Sequence, residues 1–367
     1  MKEPRISVAM ATYNGERFLQ EQLDSLARQT LLPLELVACD DGSTDGTLDI
    51  LHRFAAVAPF EVKIYQNPER LGYCDNFLRA VGFCEGDLVA FSDQDDVWLP
   101  RKLAACAERF DSERIAMVIH LAMLAGPDLE PLGRTWPHLG RFGKELPRVS
   151  TLQYMDVAGM TMVFRREVAE PLSRDAALRR AISQAFAGHD QAMRCLAGAY
   201  GCVVPLREVL ALHRCHDRNT SKGHGAIAVT APAFIFGVQG TRARLIAATH
   251  WLKTHTGLAR RAGWHSYDCE ADALRRKAEA LHHAAARAGE PLRAMLERSS
   301  TVLSRRADAL TDRSYLYRDR PGKALTRFCR MVLRGQYRRC NRGGLGFWSL
   351  GKDSSLLFRS SRQRTAA

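Results

Sequence analysis

The sequence predicts a Rossmann-like α/β fold, a mostly parallel sheet flanked by helices, with a helical C-terminal extension. Three observations carry that expectation. Short apolar runs alternate with amphipathic helical patterns from Ile6 to Phe91, Asp-rich turns close two of the runs at 40–45 and 93–96, and the chain beyond Gly223 becomes rich in Ala, Arg and Leu. Strand–helix alternation with short links implies parallel pairing through right-handed crossovers. Ligands of such sheets gather outside the carboxyl ends of the strands.

Taken in order, Ile6 to Ala11 reads as a strand ending in the turn Thr12-Tyr13-Asn14-Gly15. Phe18, Leu19, Gln22, Leu23 and Leu26 recur at helical spacing, predicting a helix over Glu16 to Gln29. Leu34 to Cys39 is the second strand, and Asp40-Asp41-Gly42-Ser43-Thr44-Asp45-Gly46-Thr47 follows it, dense in cap-forming residues. Leu48, Leu51 and Phe54 open the next helix, Val62 to Tyr65 gives a third strand, Asn76 to Cys84 a helix and Leu88 to Phe91 a fourth strand. Further on come an apolar strand at Ile115 to Leu124, an irregular Gly/Pro-containing stretch from Gly126 to Pro147, and a strand at Val157 to Phe164. A helix begins at Gly188-His189-Asp190-Gln191. The boundaries expected are an α/β domain over 1–225 and a helical, basic region over 226–367.

The fourth strand runs straight into Asp93, Asp95 and Asp96. Three acids so close repel one another, and a divalent cation is the usual reason to collect them: hard oxygen ligands suit Mg²⁺ or Mn²⁺. Mg²⁺ commonly takes one or two carboxylates together with substrate phosphates. One Asp-rich turn after a strand is explained by helix capping alone, whereas two in a single alternating sheet point to one acidic crevice.

The chain has 367 residues, enough for one large or two medium domains, and its formal charge of +13 calls for an anionic partner. Its ten cysteines form no C-x-x-C pair, which argues against a zinc site, and they read as reduced thiols. No apolar run reaches the ~20 residues that span a bilayer. The N-terminus offers no signal-peptide core, so a cytoplasmic protein is expected.

Val8-Ala9-Met10-Ala11-Thr12-Tyr13-Asn14, Asp40 to Thr47 and Ser92-Asp93-Gln94-Asp95-Asp96-Val97-Trp98 together resemble the family 2 glycosyltransferases, and the last motif resembles their bacterial rhamnosyltransferase-like branch. The resemblance implies a GT-A fold and inverting, metal-dependent transfer from a nucleotide-sugar donor, with dTDP-rhamnose the leading guess. It implies donor binding by Ala11, Tyr13, Asp40, Asp41 and Asp93, and a D-x-D pair in which Asp95 reaches the metal and Asp93 the ribose or the metal. Asp190 matches the catalytic base. His216 matches a histidine that binds metal or pyrophosphate, and Arg214 and Arg218 suit phosphate oxygens. Cys215 and Asp217 depart from the pattern around that histidine. On the acceptor side the resemblance implies Gly159, for close backbone approach, and Thr161, as a donor. Trp136, His138 and Arg141, from the irregular stretch, are further acceptor candidates.

Arg318, Arg320, Lys323, Arg327, Arg330, Arg334, Arg338, Arg339 and Arg342 interleave with Leu325, Phe328, Met331, Val332 and Tyr337. Basic amphipathic helices of this kind lie on anionic membranes. The expectation is a peripheral protein on the inner face of the cytoplasmic membrane, acting on a lipid-linked oligosaccharide or glycan. No nucleic-acid signature is present. The competing classes are a sugar nucleotidyltransferase, which should carry a Gly-rich triphosphate loop that Ala9 to Gly15 lacks, and a non-catalytic membrane-binding scaffold.

Overall fold

The computed structural model describes residues 4–137, 158–185, 188–217, 219, 265–318, 321–334 and 336. His138, Arg141, Arg218, the span 220–264 and the basic residues from Arg338 onward lie outside these. The chain divides into two compact units, one of residues 1–214 with 276–302 and one of 215–275 with 303–367.

The first unit is built on a sheet beginning with β1 (Ile6–Thr12), β2 (Glu35–Asp40), β3 (Glu61–Gln66) and β4 (Leu88–Ser92), connected through α1 (Leu19–Ala27), α2 (Thr47–Ala55) and α3 (Tyr73–Gly82). β1 pairs in parallel with β2 and β4, and β2 with β3. β1, β2 and β4 are buried almost throughout, as near-continuous apolar runs in a covered parallel sheet should be. β3 sits on the edge and is only half-buried.

The second half of the sheet is mixed. β5 (Val97–Trp98), α4 (Lys102–Ala107), β6 (Ile115–Ala125), β7 (Pro131–Trp136), β8 (Met162–Arg165), α5 (Glu170–Arg174), α6 (Ala176–Ala185), α7 (His189–Tyr200) and β9 (Cys202–Arg214) follow. Among the described residues the strand order is β3-β2-β1-β4-β8-β6-β9-β5, with β7 on β6. β8 runs antiparallel between β4 and β6, whereas β9 runs parallel to β6.

Three sequence expectations need correction. The first helix starts at Leu19, because the Phe18 and Leu19 amides both close onto the Gly15 carbonyl in a turn. The Gly126–Pro147 stretch contains a strand, β7, whose Trp136 pairs with Ala122. The strand expected over 157–164 begins only at Met162, because Gly159–Thr161 forms a 3₁₀ turn closed by Thr161 N–H to the Ala158 carbonyl at 2.9 Å.

α8 (His265–Arg287) and α9 (Leu292–Arg318) each contribute to both units, and α10 (Pro321–Leu333) belongs to the second. Within the first unit, Ser300 Oγ donates to the Ala278 carbonyl at 2.7 Å and Arg287 pairs with Asp175 at 2.9 Å. Within the second, Asp312 accepts from Arg327 at 3.2 Å and from Gln336 at 2.6 Å. Lys323, Arg330, Val332, Leu333 and Arg334 are exposed there. Among the described residues no helix is long and apolar enough to cross a membrane. The described cysteines, from Cys39 to Cys329, are all free thiols.

Candidate active site

The site forms where β1, β2 and β4 end. The loop after β1 is laced to the loop after β2: Asn14 N–H donates to Ser43 Oγ (2.9 Å), Gly15 N–H to Thr47 Oγ1 (2.8 Å), and Thr44 N–H to Asn14 Oδ1 (2.8 Å). Asp40, fully buried, accepts from the Gly42 and Ser43 amides and from the Thr12 and Ser43 hydroxyls. Asp41, 3% exposed, accepts from Asn67 Nδ2 (2.8 Å), Leu71 N–H (2.7 Å) and Gly72 N–H (2.8 Å). A carboxylate offers about four acceptor sites, so Asp40 is saturated by its own turn and Asp41 nearly so by the loop before α3. Their sequence signature is the one that ligand contact would also leave. Ala11 is half-buried and Tyr13 exposed beside them, with the Arg70 guanidinium 3.9 Å from the Tyr13 ring centre.

Gln94 joins the β1 loop to the D-x-D loop. Its Oε1 accepts from Tyr13 N–H (2.9 Å) and its Nε2 donates to the Tyr13 carbonyl (3.1 Å). Gly15 permits this, since a Cβ there would stand 2.3 Å from Gln94 Oε1. Buried polar residues of α1 hold the same loop from below. The Gln22 amide donates to the Asp96 carbonyl (2.7 Å) and accepts from Trp98 Nε1 (3.2 Å). Ser25 Oγ accepts from Trp98 N–H at 3.0 Å.

The three acids of the loop differ sharply. Asp96 is buried, and its Oδ1 accepts from His213 Nδ1 (2.9 Å) and Arg214 N–H (3.0 Å). Burial opposes charge on His213, but Asp96, and after it Asp95 and Asp93, raise its pKa to about 9. Asp93 is half-buried, and among the described residues no donor reaches its carboxylate. Burial, then the charges of Asp96 and Asp95, lift it well above the usual carboxylate range, with Asp190 adding to the effect and His213 opposing it. Asp190 lies in the first turn of α7.

A divalent cation fits this donor set. Asp96 Oδ2 is buried without a hydrogen-bond partner among the described residues, and no donor among them reaches the Asp93 carboxylate. No cage of three or more His, Cys, Asp or Glu exists among those residues. One or two carboxylates completed by phosphate oxygens and water need none.

Other expected residues land differently. Arg214 is 1% exposed: its Nε donates to the Asp95 carbonyl (2.8 Å), one terminal nitrogen pairs with Glu21 (2.8 Å), the other with the Pro127 carbonyl, and the guanidinium lies 4.4 Å from the Phe18 ring centre. It clamps the D-x-D loop from beneath instead of presenting itself to a phosphate. Thr161 Oγ1 donates to the Ala158 carbonyl at 2.7 Å within its own turn and is fully buried. Trp136 is half-buried, 5.5 Å from the His213 ring. Gly159 meets His189, whose Nε2 would lie 2.4 Å from a Cβ there. His216 belongs to the second unit, where its N–H donates to Asn219 Oδ1 at 2.5 Å.

Three residues around the site had no sequence signal of their own: Gln94 and His189, beyond sitting in a motif or helix start, and Lys102, which lies in α4 beyond the acidic motif. His189 stacks on Phe77 (4.0 Å) and meets Phe91 edge-on (4.8 Å); burial lowers its pKa to about 3. Lys102 is fully buried, and burial pushes its pKa well below the ordinary lysine value although Cys106, Asp96 and Asp93 oppose the shift.

A mostly parallel sheet with laced loops and an acidic turn at its strand ends is the arrangement in which open α/β domains bind ligands. Residues 7–172 match the family model Glycosyl transferase family 2, so this part of the chain is similar to the domains of that family. The putative glycosyltransferase EpsE of Bacillus subtilis is 35% identical over 121 residues, 33% of this chain and 44% of that one. The dTDP-rhamnosyl transferase RfbG of Shigella flexneri is 37% identical over 98 residues, 26% of this chain and 34% of that one. The chain thus spans less than half the length of these curated relatives. Among solved structures, S. aureus TarS in complex with UDP aligns with a TM-score of 0.49 at 21% identity, over 91% of this chain and 93% of that one.

Proposed function

We propose that the protein is an inverting, divalent-cation-dependent glycosyltransferase that moves a sugar from a nucleotide donor to an acceptor in cell-surface glycan synthesis. The observation that carries the reading is the run of acids after β4, where no donor among the described residues reaches the Asp93 carboxylate, together with Asp190 in the first turn of α7 and the family match over residues 7–172. The donor nucleotide lies along Ala11, Tyr13 and the Asp40–Asp41 turn, with Tyr13 as the exposed aromatic surface. Asp95 and Asp93 would hold Mg²⁺ or Mn²⁺, which would stabilise charge on the departing diphosphate.

Asp190 accepts the proton of the acceptor hydroxyl at about 2.6–3.2 Å in the reactive complex. The acceptor oxygen bonds to the anomeric carbon as the bond to the diphosphate oxygen breaks, and the electron pair leaves with the nucleotide. Gly159 and Thr161 shape the acceptor side by their turn, and Trp136 adds an aromatic surface. The matched RfbG, called a dTDP-rhamnosyl transferase, supports dTDP-rhamnose as the first donor to try.

The catalytic domain is taken as 1–225 and the helical basic region as 226–367. Exposed Lys323, Arg330, Arg334, Val332 and Leu333 suit an anionic membrane surface. They agree with peripheral attachment on the inner face of the cytoplasmic membrane and a lipid-linked acceptor.

The test is a donor screen of dTDP-rhamnose, UDP-sugars and GDP-sugars, with Mn²⁺ or Mg²⁺ and again with EDTA, by calorimetric binding and nucleotide release. One donor binding only with metal, and lost in Asp95→Asn, is the expected result. With acceptor supplied, Asp190→Asn should keep donor binding and lose about 10²–10⁴-fold in transfer rate. No binding of any donor in the presence of metal refutes the reading.

A further inference from the structure

β8 pairs with β4 only as far as Ala90, opposite Val163, so the sheet opens beside Phe91 and Ser92, just before the D-x-D loop. What opens it is the 3₁₀ turn at Gly159–Thr161. That turn is gripped from two sides. Lys102 Nζ donates to the Met160 carbonyl at 2.7 Å, while lying 3.1 Å from the ring centre of Trp98 in the acidic motif. On the other side Gly159 abuts His189, the residue before Asp190, and the His189 ring is fixed between Phe77 and Phe91.

A fully buried lysine gives up solvation and about 2 kcal/mol of rotamer entropy, so it needs a specific contact in return. Its bond crosses 58 residues of sequence, from the end of the metal-loop segment to the acceptor-side turn. The path Trp98–Lys102–Met160–Gly159–His189 therefore links the loop that holds Asp93 and Asp95 to the helix that carries Asp190.

We propose that Lys102 is a positioning residue, which by holding the Gly159–Thr161 turn sets the spacing between the D-x-D carboxylates and the base Asp190. The inference rests on the glycosyltransferase reading for its kinetic consequence. Its structural part stands without that reading.

The variant to make is Lys102→Met, which keeps the length of the side chain and removes the donor. Gly159→Ala, whose Cβ would press on a His189 ring that has no room to retreat, perturbs the same turn from the opposite side. Hydrogen exchange by mass spectrometry on the full chain should show faster exchange in both variants at 158–162 and 188–192, with β1 and β2 unchanged. At saturating donor and acceptor, kcat should fall by about 10²-fold, the cost of a misplacement near 1 Å. The donor Kd should stay within about threefold, since one hydrogen bond remote from the donor is lost.

Unchanged exchange at the turn, or faster exchange spread over the whole sheet, overturns the proposal. So does kcat at the wild-type level, or a loss of donor affinity in step with kcat, which would mark a merely structural lysine. If the wild type itself binds no donor, the functional reading fails, and the exchange data alone decide whether Lys102 holds the turn.

Discussion

Replacing His189 with leucine should make the fold less sensitive to mild acid. The His189 imidazole is 6% exposed, is enclosed by Phe77, Phe91 and Gly159, and neither ring nitrogen has a hydrogen-bond partner among the described residues. Burial lowers its pKa from 6.5 to about 3. The folded value is the lower one, so between the two the unfolded chain binds the extra proton. This contribution to stability is complete above pH 6.5 and is lost as pH falls towards 3. At pH 5 the difference is about 1.5 pH units at ~1.36 kcal/mol each, or about 2 kcal/mol relative to pH 7.5. Urea unfolding at the two pH values, followed by tryptophan fluorescence, measures it. The substitution costs packing at both values, and that cost cancels when each variant is compared with itself. Wild type should lose about 2 kcal/mol more than His189→Leu between pH 7.5 and 5. Equal losses would mean that the imidazole takes up its proton inside the fold, and the closed aromatic box around it would be wrong.

Two further outcomes follow from the loops. Gln94→Ala removes both bonds to the Tyr13 backbone, and the donor Kd should rise about tenfold, the equivalent of roughly 1.4 kcal/mol; calorimetry with the donor found in the screen checks this, and unchanged affinity refutes the coupling of the two loops. At the opposite end of the strands, Glu35 is buried with Lys63 Nζ 2.7 Å away, Ser7 Oγ at 2.6 Å and Glu85 N–H at 2.6 Å. Burial favours its neutral form, but those three partners together hold its pKa below the ordinary 4.5. A depressed carboxylate stabilises the fold above pH 4.5, and that stability is lost as pH falls through the folded value. Glu35→Gln should cost about 2 kcal/mol at neutral pH, less than a fully buried pair because Lys63 is partly exposed, and should flatten the acid limb below 4.5. An acid limb as steep as the wild type's counts against the pair.

The strands were legible because burial on both faces leaves continuous apolar runs, and the candidate site was chosen because acids crowd two strand ends. The roles of individual acids were not. Asp40 closes a buried strand and Asp93 directly follows one, and each leads into a polar turn, so by local sequence they are alike. Asp40 meets four donors from Thr12, Gly42 and Ser43, whereas Asp93 meets none among the described residues. Arg214 looked like a phosphate ligand because its charge is visible and its partners, Glu21 and the Asp95 and Pro127 carbonyls, are not. Lys102 and His189 stayed hidden for the same reason, since their environments are assembled from segments far apart in the chain. Acid density is a local property that a sequence displays, while its neutralisation is a tertiary one. At Asp40 the fold itself supplies the donors, whereas the Asp93 carboxylate meets none among the described residues, and on the proposed reading a cation and a phosphate would complete it.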